Sequence, residues 1–312
     1  MSLKNVLVTD YVHPDLLAGL KRLGLHTTYA PEMSRAGMND ALGDFYGVVI
    51  NTRCAIDRQA MEKAKKLKWI ARLGSGLDII DLVAASELHI EVVSAPEGNA
   101  QAVAEHAMGM LLSLSNKIIP ADQSVRAGDW LREIHRGWEV AGKTIGIIGH
   151  GNNGSAFGRL WKGWDVRVLA YDKYLVSYGT SNVMETHLDT LLSESDIISL
   201  HIPLTSETKE MVNASFLSKC KKGCVLINTS RGKIVDLRAL ADALHSGHVA
   251  GACLDVFPYE PPGNAPEAFK QTFQEICDSD RVVLSPHVAG WTRESKQKIA
   301  RILLEKINSL VQ

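Results

Sequence analysis

With 312 residues, 46% of them hydrophobic and 22% charged, the chain has the length for two domains and the composition of an ordinary globular protein. A formal net charge of −1 with no basic block argues against a nucleic-acid or anionic-membrane surface, and no apolar run reaches the length of a bilayer span. Five scattered cysteines, Cys54, Cys220, Cys224, Cys253 and Cys277, fit reduced thiols in a cytoplasm better than a disulfide framework, and no metal-ligand set completes the Cys220 and Cys224 pair.

The first five residues run straight into the strand-like 6–8, which leaves no room for a signal peptide. Up to residue 99, β-branched runs at 6–9, 48–51, 69–73 and 90–93 alternate with helix-like stretches at 14–22, 57–66 and 82–87. That alternation predicts a parallel sheet covered by helices. The segment 99–116 reads as a helix that is apolar around most of its circumference, buried on several sides and suited to a hinge or a subunit interface; a homodimer is expected. Further strands are predicted near 144–148, 166–171, 196–200, 224–228, 250–255 and 282–285, and one last helix at 292–310. The expected fold class is α/β, with two Rossmann- or flavodoxin-like doubly wound parallel-sheet domains. Residues 1–99 with 287–312 form a discontinuous substrate domain, and 100–286 form a nucleotide domain inserted into it, with 99–116 as the hinge helix.

The most informative stretch is Gly149, Gly151 and Gly154 after the apolar run 145–148. In a dinucleotide fold the first glycine makes the tight turn and the second admits the pyrophosphate. The third lets helix and strand pack closely, and the free N–H groups at the helix start, at Asn152 and Asn153, receive phosphate charge. The next apolar run ends at Asp172, placed to accept hydrogen bonds from both adenosine-ribose hydroxyls. That carboxylate favours NAD over NADP: like charges ~4 Å apart at an effective dielectric of ~20 repel by roughly 4 kcal/mol.

Open α/β sheets bind ligands beyond the carboxyl ends of their strands, and polar residues gather there. They include His201, Pro203 and Thr205 after one strand, Thr229 and Arg231 after the next, then Asp255 and Glu260, then His287. Together with the glycine turn, the ordered motifs HIPLT, NTSRG, LDVFPYEP and SPHVAG make the chain similar, over nearly its whole length, to the D-isomer-specific 2-hydroxyacid dehydrogenase family. Short NAD-dependent members of the D-3-phosphoglycerate-dehydrogenase type are the best match.

The resemblance implies NAD as cofactor and a catalytic Arg, Glu and His, matched by Arg231, Glu260 and His287. A histidine titrates near neutral pH and suits a reversible proton donor and acceptor. A carboxylate beside an imidazole favours its charged form and fixes its orientation. Arg231 offers a planar fork to hold the substrate carboxylate or polarise the carbonyl. A structural Glu–Arg ion pair and a hinge-bound His are the plainer alternatives. The resemblance further places His201 and Pro203 along the adenine, Thr205 or Thr208 at the pyrophosphate, and Thr229, Asp255 and Gly290 on the cofactor side, with Asp255 accepting from the nicotinamide carboxamide. Substrate contacts are expected from the N–H groups of Ser75 and Gly76, from Asn99, and from Arg53, the one cation beyond the strand 48–51, besides Arg231 and His287. No metal is expected.

Departures from the family pattern matter. Asn152 and Asn153 stand where Arg-Ile is usual, which removes an apolar contact under the cofactor. Asn51–Thr52–Arg53–Cys54 stands where the phosphoglycerate enzymes carry Arg-Ser-x-Thr, which puts a phosphorylated substrate in doubt. Nothing after Gln312 would form an amino-acid-sensing domain, so serine feedback is not expected. The expected activity is interconversion of a small D-2-hydroxy acid and its 2-oxo acid, with D-3-phosphoglycerate one candidate. Glyoxylate, hydroxypyruvate or D-lactate chemistry and a non-enzymatic NAD-sensing corepressor are the alternatives.

Overall fold

Short β-branched runs form the strands of two parallel sheets. The computed structural model describes residues 4–312, and the chain divides into one unit that runs to Ala100 and resumes at Trp291–Gln312, and a second of Gln101–Gly290. The first unit alternates β1 (Asn5–Val8), α1 (Pro14–Arg22), β2 (His26–Tyr29), α2 (Arg35–Ala41), β3 (Gly47–Ile50), α3 (Arg58–Lys63), β4 (Trp69–Arg72), α4 (Leu82–Glu87) and β5 (Glu91–Ser94). Helix α5 (Pro96–Ser115) carries the chain into the second unit. The strands lie in the order β2-β1-β3-β4-β5, all parallel.

The second unit continues with α6 (Ile118–Ala127), β6 (Thr144–Ile148), α7 (Asn152–Leu160), β7 (Arg167–Tyr171), β8 (Met184–Glu185), α8 (Leu188–Glu194) and β9 (Ile197–Leu200). It ends with α9 (Ala214–Lys219), β10 (Cys224–Asn228), α10 (Leu237–His245), β11 (Val249–Leu254), α11 (Glu267–Cys277) and β12 (Val282–Leu284), after which α12 (Arg293–Val311) belongs to the first unit. The seven strands lie in the order β12-β11-β10-β9-β6-β7-β8, again parallel. The order reverses at β6, whose neighbours are β7 and β9, and an open sheet takes its ligand over the carboxyl end of such a strand.

Side chains alternate across both sheets. Val6, Val8, Val49 and Trp69 pack under Leu16 and Leu20 of α1 and Ile299 and Leu303 of α12. Leu7, Val48, Ile50 and Ile70 face the opposite way, onto Met38, Met61 and Ile80. With both faces covered, the strands carry apolar residues at nearly every position. In the second unit Ile198, Leu226 and Leu254 pack on Phe216, Leu240 and Leu244. Helix α12 opens with a capping box: Thr292 Oγ1 accepts from Ser295 N–H and Ser295 Oγ from Thr292 N–H, both at 3.0 Å.

The structure adds elements that the sequence does not predict, β2, β8, α2 and α6. Strand β2 was not predicted, because it is an edge strand with His26, Thr28 and Tyr29 exposed. Residues 287–290 belong to the second unit rather than the first, since His287 N–H donates to the Asp255 carbonyl at 2.7 Å and Ala289 N–H to Asp255 Oδ2 at 2.9 Å. The apolar positions of α5, such as Val103, Ala107 and Leu111, are buried, as expected of the 99–116 helix, and large exposed apolar side chains come after it, at Ile118, Ile119, Val125, Trp130, Leu131 and Ile134. Among the described residues no helix is long and apolar enough to cross a membrane, and no group of His, Cys, Asp and Glu is arranged to hold a metal ion.

Candidate active site

At the end of β6, Gly149 turns the chain at φ +90°, and a side chain there would strike the His201 carbonyl oxygen at 2.4 Å. Gly154 lies so close beneath that its Cβ would stand 1.9 Å from the Gly149 carbonyl oxygen, so only glycine closes this turn. Gly151 caps α7 without a side-chain hydrogen bond, and the space beyond its Cα is open. A helix start capped in this way keeps N–H groups for an anion. Asn152 and Asn153 are its first two residues, and Asn153 Oδ1 is buried without a partner.

Asp172 follows β7. Its Oδ2 accepts from His150 N–H at 2.8 Å and its Oδ1 from Tyr174 and Leu175 N–H at 2.9 and 3.0 Å. Burial raises its carboxyl, but those three N–H groups and the His150 ring outweigh it and hold the group below the usual carboxylate range. An ionised carboxylate with lone pairs to spare suits a ribose diol. Tyr178, absent from the sequence reading, braces this corner: its hydroxyl accepts from Asp172 N–H at 2.9 Å, and its ring stacks on His150. Thr229 Oγ1, past the end of β10, is buried without a partner. An anion-ready helix start, a diol acceptor and orphaned buried polar atoms together fit an NAD molecule.

Other expected cofactor contacts change in character. Burial pushes the His201 imidazole down to about 3, and its Nε2 shares a 2.9 Å hydrogen bond with Ser199 Oγ, so it is a neutral ring packed on Phe157. Thr208 Oγ donates to the Pro203 carbonyl at 2.7 Å, and the Thr205 hydroxyl lies 3.1 Å from Thr208 Oγ. Both hydroxyls take part in the hydrogen bonds that close this loop. Asp255 follows β11. It is fully buried; Oδ1 accepts from Ser285 Oγ and Val288 N–H at 2.6 and 2.9 Å, and Oδ2 from Ala289 N–H. It clasps the loop that leads to Gly290 and has no surface open to a carboxamide.

The three residues assigned to proton transfer and substrate anchoring are gathered in the second unit. Arg231 precedes a short turn at Gly232–Ile234, and a Cβ on Gly232 would stand 1.9 Å from the Phe257 carbonyl carbon. That contact brings the Arg231 loop against the loop of Phe257 and Glu260. Glu260 Oε1 accepts from Phe257 N–H at 2.9 Å, and Oε2 lies 2.6 Å from His287 Nδ1. Burial raises the Glu260 carboxyl; the His287 contact, the Phe257 N–H and the Arg231 charge outweigh it and lower the group. A cavity of about 650 Å³ opens beside this pair, walled by Phe257, Phe273, Leu284 and Pro286.

In the first unit, Ser75 Oγ donates to Asn99 Oδ1 at 2.8 Å, so two of the expected substrate residues meet, with Gly76 next in the same turn. Arg53 is engaged within its own unit. Its Nη1 donates to the Met33 carbonyl at 2.9 Å, its Nη2 to the carbonyls of Thr9 and Pro31, and its Nε lies 3.6 Å from Asp10. The guanidinium fork is taken up in clasping loops of its own unit. Three further residues carry no signal in the sequence: His106 and Ser285, whose side chains meet at 2.9 Å, and Arg72, a buried charge at the end of β4.

A glycine turn at the strand-order reversal, with an imidazole, a carboxylate and a guanidinium on neighbouring strand ends, is the layout of an α/β dinucleotide-binding protein. The model of the D-isomer specific 2-hydroxyacid dehydrogenase, NAD binding domain, matches residues 108–289, more than half of the chain. The chain is 35% identical to a D-3-phosphoglycerate dehydrogenase of Archaeoglobus fulgidus over 98% of its own length and 57% of that protein. It is 38% identical to a glyoxylate reductase of Thermofilum pendens over 82% of its length and 76% of that protein. Its fold is similar to the D-lactate dehydrogenase of Aquifex aeolicus complexed with NAD and lactic acid, with a TM-score of 0.86 and 27% identity, covering 98% of this chain and 95% of that one. The chain belongs to the D-isomer specific 2-hydroxyacid dehydrogenase family, a family of NAD-dependent dehydrogenases acting on the CH–OH group of 2-hydroxy acids. It spans little more than half the length of the phosphoglycerate dehydrogenases it resembles, 57% in the Archaeoglobus case.

Proposed function

We propose that this protein is an NAD-dependent oxidoreductase that interconverts a small D-2-hydroxy acid and its 2-oxo acid. The observation that carries the reading is the 2.6 Å contact between His287 Nδ1 and Glu260 Oε2, in the unit that matches the family's NAD-binding domain. Bound NAD supplies the hydride carrier. His287, with Nδ1 fixed on Glu260, holds a proton at Nε2, gives it to the carbonyl oxygen in reduction and takes it back from the hydroxyl in oxidation. Glu260 stabilises the charged ring and keeps it from turning. Arg231 grips the substrate carboxylate or polarises the carbonyl. The Gly149–Gly154 turn and Asp172 hold the dinucleotide.

The engagement of Arg53 by the carbonyls of Thr9, Pro31 and Met33 supports an unphosphorylated substrate such as glyoxylate, hydroxypyruvate or pyruvate over 3-phosphohydroxypyruvate. A panel of these four acids with NADH and NADPH tests the activity and ranks the substrates. The same reading includes a homodimer, with the exposed apolar residues between Ile118 and Ile134 as its interface. It also places the protein in a reducing cytoplasm, which suits its five unpaired thiols.

A further inference from the structure

His106 lies on α5 and Ser285 follows β12, 179 positions further along the chain. His106 Nε2 is 2.9 Å from Ser285 Oγ and 3.6 Å from Asp255 Oδ1. Ser285 has one hydroxyl proton. Asp255 Oδ1 accepts from Val288 N–H as well, so in its 2.6 Å contact with Ser285 Oγ it is the acceptor and takes that proton. The contact with His106 therefore runs the other way: Nε2–H donates to the Ser285 oxygen, and the ring is held in the tautomer that carries a proton on Nε2.

Asp255 in turn holds the backbone on both sides of His287. Its carboxylate accepts from Val288 and Ala289 N–H, and its carbonyl accepts from His287 N–H at 2.7 Å. His287 sits at φ +56°, a left-handed conformation that a residue with a side chain adopts at a cost, so its surroundings and not its own preference keep it there. We propose that His106 is a positioning residue for His287: its Nε2–H orients the Ser285 hydroxyl, the hydroxyl locks the Asp255 carboxylate, and Asp255 sets the backbone from which His287 meets Glu260. The proposal rests on the reading of His287 as the proton carrier. His106 itself transfers no proton in this scheme. Without its N–H, the Ser285 oxygen loses its donor, the hydroxyl can rotate away from Oδ1, and Asp255 is left to hold the loop through the Val288 and Ala289 N–H groups alone. A catalytic group displaced by about 1 Å loses up to roughly a hundredfold in rate.

The test uses the full chain with His106→Leu, which keeps bulk and removes the donor, and His106→Gln, whose side-chain amide offers an N–H at similar reach. In His106→Leu, kcat for 2-oxo acid reduction falls roughly ten- to hundredfold, while KM and NADH affinity change less than about threefold. His106→Gln restores most of the loss. The second readout needs neither cofactor nor substrate: the downfield proton NMR signal of the His287 Nδ1–H bonded to Glu260. It persists in the wild type and in His106→Gln, and moves upfield or broadens away in His106→Leu. If the wild type turns over no 2-oxo acid but this signal responds to His106→Leu, the assignment of the reaction falls and the positioning role stands. If both kcat and the signal are untouched by His106→Leu, the proposal is overturned. Should His106→Leu not fold, Ser285→Ala cuts the same link and is judged by the same two readouts.

Discussion

Nδ1 of His287 lies 2.6 Å from Oε2 of Glu260, and the other oxygen of that carboxylate is pinned at 2.9 Å by the N–H of Phe257. A carboxylate held at both oxygens cannot swing, so the imidazole bonded to it has one orientation, with Nε2 as the ring atom for a substrate oxygen. In the proposed reaction, the pair sets the direction in which the proton moves.

Removing that charge while keeping the shape tests this directly. The Glu260 carboxyl is raised by burial but lowered further by His287, Phe257 N–H and Arg231, and lies below its ordinary value of 4.5. Its contribution to stability is thus present above 4.5 and lost as pH falls through the lower folded value. Glu260→Gln is expected to cut turnover by at least about a hundredfold at neutral pH and to leave NADH affinity unchanged. It also flattens the acid end of the stability curve, as read by denaturant titrations between neutral pH and the acid range.

Asp172 joins cofactor choice to stability. Three backbone N–H groups, of His150, Tyr174 and Leu175, depend on its oxygens. Asp172→Ser is expected to narrow the preference for NADH over NADPH from well above tenfold to near parity, because the repulsion of a 2′-phosphate disappears. The same change costs about 1–3 kcal/mol of stability through the orphaned donors. Paired kinetics with the two cofactors and a thermal melt check the two effects separately.

His201 predicts a pH dependence of the fold. Its imidazole is pushed from 6.5 to about 3 by burial. Between those values the unfolded chain binds a proton that the folded chain refuses, so stability is full above pH 6.5 and declines as pH falls towards 3. The slope from this residue is at most about 1.4 kcal/mol per pH unit. In His201→Gln, unfolding free energies measured from pH 7 to 5 should lose that slope.

The proposed homodimer depends on side chains such as Trp130 and Ile134, which are 78% and 62% exposed. The double variant Trp130→Ser, Ile134→Ser is expected to sediment as a monomer where the wild type sediments as a dimer. A monomeric wild type would dismiss the interface.

How much of this was legible in the sequence follows from burial and from chain distance. Strands β6, β9, β10 and β11 stand out because both of their faces are covered and their residues are almost all apolar, whereas edge strand β2, His-Thr-Thr-Tyr, has no aliphatic residue and leaves no signal. Arg231, Glu260 and His287 could be picked out as polar residues just past strand ends, where an open sheet collects its ligands. The engagement of Arg53 could not, because its acceptors Thr9, Pro31 and Met33 come from loops 20 to 44 positions away. His106 and Ser285 were hidden for the same reason. Each is unremarked in its own motif, and only the folding of α5 against the end of β12 joins them.

In the proposed reaction, His287 moves the proton that accompanies hydride transfer. The measurement is steady-state NADH oxidation with glyoxylate, hydroxypyruvate and pyruvate by the wild type and by His287→Ala, alongside NADH binding followed by fluorescence. The account predicts saturable turnover in the wild type and a loss of roughly 10²–10⁴-fold in the variant with NADH bound as before. Undiminished turnover in His287→Ala, or none in a wild type that binds NADH, would contradict it.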